Sequence, residues 1–184
     1  MTRRINAAGL SHIKQWEGCR LTAYKDVAGV WTIGYGSTGK HVKPGMKITQ
    51  AEADALLRKD LDRFEKAVDT QVKVPLNDSQ FAALVSFSFN VGVGAFQKST
   101  LLRKLNAGNY DAVPSELMKW VNAGGRKVQG LVNRRRSEGE IWDSKTAPKP
   151  APKPDVIPPT PQPKTSLWAL ILQFLSKLFG GRNG

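Results

Sequence analysis

Leu10, Ile13 and Trp16 recur at the interval of one helical face, with Asn6 ahead of them as an N-cap and Gly18 behind them as a left-handed stop. This pattern predicts a helix whose last turn carries Glu17. From Leu21 to Val42 the period changes. Tyr, Val, Trp, Thr and Ile crowd into short runs broken by Val27-Ala-Gly29 and by Gly34, Gly36 and Gly39, which predicts a small antiparallel sheet. Asp26 falls at its first turn and Thr32 on the returning strand. Thr49-Gln-Ala-Glu52 is a capping box, and it opens a long half-exposed helix with Ala55, Leu56, Phe64 and Val68, running to about Lys73 before Pro75 stops it. Shorter helices are predicted over 78–90, 99–107, 114–122 and 131–143, with Gly108 and Gly124 closing the second and third. The fold class predicted is α+β and mostly helical: a small antiparallel sheet in an N-terminal lobe, a long connecting helix and a helical C-terminal lobe. Two lobes on one helix imply a cleft.

The pattern breaks at Ala147, where Ala-Pro-Lys-Pro-Ala-Pro-Lys-Pro leads into a second proline-rich run ending at Pro163, a stiff polyproline-like spacer. Three units follow: a folded domain over 1–144, a linker over 145–164 and a tail over 165–184. In the tail, steps of about 100° per residue gather nine large apolar residues on one arc, among them Leu167, Trp168, Ile171, Phe174, Leu175, Leu178 and Phe179. Burying half of that surface is worth on the order of 10 kcal/mol, so exposure to water is not a plausible resting state. Packing back on the domain or pairing with another copy would bury it, but the spacer argues against intimate packing. The helix is too short for the roughly 20 residues of a membrane span, and lying in a membrane interface fits better. A bacterial membrane, or an outer membrane bearing lipopolysaccharide, is the expected partner, aided by Lys149, Lys153, Lys164, Lys177 and Arg182.

Charge enlarges the set of partners rather than narrowing it. With 28 Lys+Arg against 15 Asp+Glu the chain carries +13, which attracts polyanions of any kind. The lone Cys19 allows no internal disulfide, and a buried inert thiol is the default for it. The N-terminus has two arginines, but Asn6, Ser11, His12 and Lys14 interrupt any apolar signal core, which argues against Sec export.

The chemistry centres on two carboxylates. Cleaving a glycosidic bond takes an acid to protonate the leaving oxygen and a second carboxylate across the sugar, and before Thr49 the chain holds only Glu17 and Asp26. The negative end of the helix dipole disfavours ionisation of Glu17, making it the candidate acid. Asp26, in a turn, is expected to stay charged and polarise a water that the Thr32 hydroxyl holds. Taken singly, a helix-end Glu is ordinarily a solvated group, an Asp before Val-Ala-Gly a turn former and a strand Thr a β-former.

Taken together, the run Glu17-Gly-Cys-Arg-Leu-Thr-Ala-Tyr-Lys-Asp26-Val-Ala-Gly-Val-Trp-Thr32-Ile-Gly-Tyr-Gly36 closely resembles the signature of phage-type lysozymes, glycoside hydrolase family 24: Glu, eight residues, Asp, five residues, Thr, then Ile-Gly-x-Gly. The likeness continues through Ala83–Gly92, Ser99–Leu105, Trp120–Gly125 and Gly130–Arg136, nearly the whole domain. It implies hydrolysis of the β-1,4 bond between N-acetylmuramic acid and N-acetylglucosamine in peptidoglycan, with host lysis as the outcome. Glu17 would be the acid, Asp26 the water-activating carboxylate and Thr32 its positioner, with inversion at the anomeric carbon. Phe89 and Asn90 match positions lining the saccharide cleft, and Arg134 or Arg135 the arginine that relatives place near the catalytic Glu. A core Phe, a helix-terminal Asn and a solvated basic run are equal readings of those four.

The family calls for no metal or cofactor, and a monomer without nucleic acid is expected. Such an enzyme accumulates in the host cytoplasm and reaches the wall through a lesion made by another protein. One departure stands out: many relatives have His where this chain has Ser37, which puts a local polar contact in doubt. A non-catalytic wall binder, a lytic transglycosylase and a membrane-active carrier remain alternatives, separable by product analysis and by Glu17→Gln.

Overall fold

The structure, a computed structural model, describes residues 3–26 and 28–144. The expectations for the linker and for the apolar arc of the tail lie outside the described residues.

Helix α1 spans Ala7–Glu17, and both of its ends are closed as the sequence predicts. Asn6 accepts from the Gly9 amide at 2.8 Å, while Gly18 at φ +66 sends its own N–H back to the Lys14 carbonyl. A left-handed residue there costs nothing only because it lacks a Cβ. Strands β1 (Arg20–Lys25), β2 (Trp31–Gly34) and β3 (Ser37–Thr38) form an antiparallel sheet in that order. Tyr24 faces Thr32 and Lys25 faces Trp31 across the first pair, and Thr32 faces Thr38 across the second. On its other side β1 is flanked by segment 46–48, through Ala23 N–H to Met46 O and Ile48 N–H to Leu21 O.

Helix α2 (Gln50–Gln71) has both halves of the capping box, Thr49 accepting from the Glu52 amide and Glu52 accepting from Thr49. Its 22 residues span about 33 Å. Beyond it come α3 (Asp78–Val91), α4 (Val93–Gln97), α5 (Thr100–Asn106), α6 (Ala112–Leu117) and α7 (Gln129–Asp143). Helix α3 is apolar almost all round and sits at the centre, packed by α1, α2 and α7. Where the sequence predicts one helix over 114–122, the chain instead ends α6 at Leu117 and forms a hairpin of β4 (Asn122–Ala123) and β5 (Arg126–Lys127). The reason is local: Gly124 and Gly125 take φ +59 and +77, the two positive values that a tight hairpin turn needs.

Among the described residues no helix is long and apolar enough to cross a membrane. Cys19 is exposed, correcting the expectation of a buried thiol. It follows the helix stop and precedes β1, with its thiol toward Gln50 and Tyr35.

Candidate active site

Glu17 is the final residue of α1, and its side chain turns inward rather than into solvent, only 3% exposed. Arg134 of α7 meets it, Nη1 donating to Oε1 at 2.7 Å. The same guanidinium donates through Nε to Glu138 Oε1 at 3.2 Å and through Nη2 to the Ser86 carbonyl at 3.3 Å. Glu138, fully buried, also accepts from Ser86 Oγ at 2.7 Å and from Arg135 Nη2 at 3.1 Å. Arg135 in turn reaches Asn90 Oδ1 at 2.9 Å and lies over the Phe87 ring. Two arginines and two carboxylates thus neutralise one another between α1, α3 and α7. Burial works against the charge of Arg134, but Glu17 and Glu138 outweigh it and hold its pKa above the ordinary value. Burial dominates for Arg135, pushing it down to about 10. His12, one turn before Glu17, is lowered to about 3 by burial, then by Arg134 and Arg135, so it is neutral beside the cluster.

Asp26 is built differently. It follows β1 in a tight loop where Oδ1 accepts the amides of Ala28 (2.9 Å) and Val30 (2.8 Å), and its own N–H reaches Val30 O. An aspartate folds this turn around itself. Its second oxygen, Oδ2, is buried with no hydrogen-bond partner among the described residues. Thr32, wholly buried on β2, donates to Val30 O at 3.2 Å, leaving its oxygen as an acceptor. Val30 therefore ties Asp26 to Thr32 through its two backbone groups.

Tyr24, opposite Thr32, joins the two halves. Its phenol pKa is raised by burial, with Arg20 opposing and both Asp26 and Glu17 adding to the rise, so the two carboxylates act on one ring. Sequence reasoning missed Tyr24, Ser86, His12 and Glu138, since nothing local marks them.

Of the expected sugar contacts, Arg134 reaches Glu17, as the resemblance implies. The other three are drawn into the interior. Phe89 is 4% exposed and packs edge-on against Phe64, Asn90 is bonded to Arg135, and Arg135 is fully buried. Both arginines lie in the middle of α7 rather than at its start. Ser37 is buried with Oγ 3.5 Å from His41 Nε2, so a histidine four residues on faces it. No group of three His, Cys, Asp or Glu that could hold a metal occurs among the described residues.

Comparison with known proteins points to one family. The family model described as phage lysozyme matches residues 14–138. The endolysin of Bacillus phage B103 is 44% identical over 155 residues, which are 82% of this chain and 59% of that protein. The endolysin of Acyrthosiphon pisum secondary endosymbiont phage 1 is 44% identical over 76% of this chain and 98% of its own length. Among solved structures, the endolysin from Escherichia coli O157:H7 phage FAHEc1 superposes with a TM-score of 0.72 at 40% identity, covering 81% of this chain and 99% of that one. The muramidase domain of SpmX from Asticaccaulis excentricus gives 0.73 at 38% identity, covering 77% and 99%.

Proposed function

The chain belongs to the phage lysozyme family, and on that footing we propose that it is an endolysin that hydrolyses the β-1,4 bond between N-acetylmuramic acid and N-acetylglucosamine in peptidoglycan. The observation that carries the reading is the contrast between the surroundings of the two carboxylates. Glu17 is held by a guanidinium, whereas Asp26 is pinned by two amides through one oxygen with the other buried and unpartnered.

Asp26 Oδ2 accepts a proton from a water, whose oxygen attacks the anomeric carbon. Thr32 accepts a hydrogen bond from the same water, because its own proton is committed to Val30. Glu17 gives its proton to the departing glycosidic oxygen, so one water is consumed and one proton crosses from Asp26 to Glu17 by way of solvent after each turnover. Arg134 fixes the position of the Glu17 carboxyl through the 2.7 Å contact to Oε1. Attack from the far face inverts the anomeric centre.

Product analysis tests this. Hydrolysis with inversion yields a reducing sugar that appears first as the α anomer by NMR. An anhydro product would replace the reading with a lytic transglycosylase, and a β anomer would replace inversion with a covalent intermediate.

The apolar arc of 165–184 supports a membrane-facing role for the tail, behind a proline-rich linker and a catalytic domain over 1–144. The enzyme would act on the wall from inside the cell after a lesion opens, with no metal or nucleic acid needed and as a monomer. Truncation after Lys145 is expected to spare hydrolysis of purified wall and weaken lysis of intact cells.

A further inference from the structure

Among residues 18–48 the cations are Arg20, Lys25, Lys40, Lys43 and Lys47, and the single acid is Asp26. All five cations are exposed, while Asp26 is buried and bonded into its own loop. None of the five forms an ion pair among the described residues. Helix α2 is the contrast, with six acids against four cations over its length. An excess of one sign with no internal partner destabilises the lobe through self-repulsion, so the fold alone gives no reason for it.

These charges occupy one neighbourhood. The bridge between Thr22 and Lys47 lays the 39–47 loop against β1, Lys25 sits over the Trp31 ring at the end of the sheet, and Arg20 covers Tyr24 at 4.3 Å. Tyr24 is the ring that both Glu17 and Asp26 influence. Leu21 and Val30, two of the three exposed large apolar residues described, lie on the same lobe at 40% and 44% exposure. Three of the five cations thus share the loop along the edge of β1, and Arg20 and Lys25 lie on the strand beside it.

We propose that the 39–47 loop, with the adjoining edge of β1, docks the acidic, alanine-rich peptides that peptidoglycan carries on its glycan strands. The inference rests on the reading of the site as a muramidase. N-acetyl sugars with amidated lactyl groups carry no charge to set against five ammonium and guanidinium groups, whereas the peptides bring repeated carboxylates, and methyl groups for Leu21 and Val30. Since the peptides are attached to the strand that enters the site, a loop bridged to Thr22, two residues before Tyr24 on β1, meets them when the sugars are in place. Attraction of this kind raises encounter rate and affinity without touching the bond that breaks.

The experiment compares the full chain with a triple Lys40→Gln, Lys43→Gln, Lys47→Gln variant and with the matching triple Lys→Arg variant. Each is cosedimented with intact sacculi and with glycan strands stripped of peptide by an amidase, their freed lactyl carboxylates capped as methyl amides. The Gln variant is expected to bind intact sacculi about tenfold more weakly, the sum of three modest exposed ion pairs, and to show a flatter dependence on salt. The Arg variant should bind as the wild type does, and all three should bind stripped strands alike. Equal binding of wild type and Gln variant to intact sacculi overturns the proposal, as does an equal loss on stripped strands. A loss confined to phosphatidylglycerol–phosphatidylethanolamine vesicles also overturns it and makes the face a lipid surface. Reducing ends released by the wild type are counted separately, so a failure of the muramidase reading is visible apart from the binding result.

Discussion

Arg134 Nη1 lies 2.7 Å from Glu17 Oε1, joining the last residue of the first helix to the middle of the last helix across 117 positions of sequence. Both side chains are 3% exposed. The catalytic candidate is therefore held by tertiary structure at the point where its own helix stops, and its guanidinium partner is shared with Glu138 and Ser86.

Removing that partner strands Glu17, while Glu138 keeps Arg135 and Ser86. Arg134→Ala is expected to lower unfolding free energy by about 3–5 kcal/mol, the range for breaking one side of a buried ion pair. Arg134→Lys should recover only part of the loss, because an ammonium on a single stem cannot serve Glu17, Glu138 and the Ser86 carbonyl together. Urea denaturation of the three proteins measures both statements.

Asp26 separates structure from chemistry. Asn at this position keeps an oxygen to accept the Ala28 and Val30 amides and loses the charge on the buried, unpartnered atom. Asp26→Asn should leave the thermal midpoint near that of the wild type and lower kcat by about 10²–10⁴-fold. A collapse of stability equal to the loss of activity would make Asp26 a turn former only.

His12 makes stability depend on pH in a definite direction. In the unfolded chain it takes a proton near 6.5, and in the folded protein not until about 3. Between those values the unfolded state binds more protons, so stability rises with pH. The His12 contribution is complete above 6.5 and drains away as pH falls toward 3. The stability difference between wild type and His12→Gln, followed by denaturation at a series of pH values, should shift in favour of the variant across that window and be flat above it.

Gly9 tests the packing of α1 on α3. A methyl there would stand 2.6 Å from Ala82 Cβ and 2.7 Å from Ile5 Cγ1, closer than atoms can sit. Gly9→Ala in an isolated helix gains about 1 kcal/mol, but overpacking costs about 1–3 kcal/mol. The substitution is expected to destabilise, and pairing it with Ala82→Gly should return part of the loss.

What the sequence showed and what it hid divide along physical lines. The caps at Asn6, Gly18 and Thr49 with Glu52 are local chemistry, and they appear where predicted because a cap is made by residues three or four apart. The positions of Asp26 and Thr32 on loop and strand were legible for the same reason. Helix α4 was not predicted, and the helix predicted over 114–122 overran Leu117 up to the first residue of the hairpin, because strands of two residues show no alternation and only the Gly124-Gly125 pair marks the turn. Glu138, Arg134 and Arg135 look like a solvated stretch of charge on the page. Their burial is decided by Ser86, Asn90 and Glu17, which sit 45 to 117 positions away. Phe89 was ambiguous between cleft and core until Phe64 was seen to cover it.

The most direct test of the central claim is the count of new reducing ends released from purified peptidoglycan by the wild type and by Glu17→Gln. The account predicts steady release by the wild type and none above background from the variant, with the variant still folded by circular dichroism. Release by Glu17→Gln at the wild-type rate would contradict it and move the acid elsewhere in the molecule.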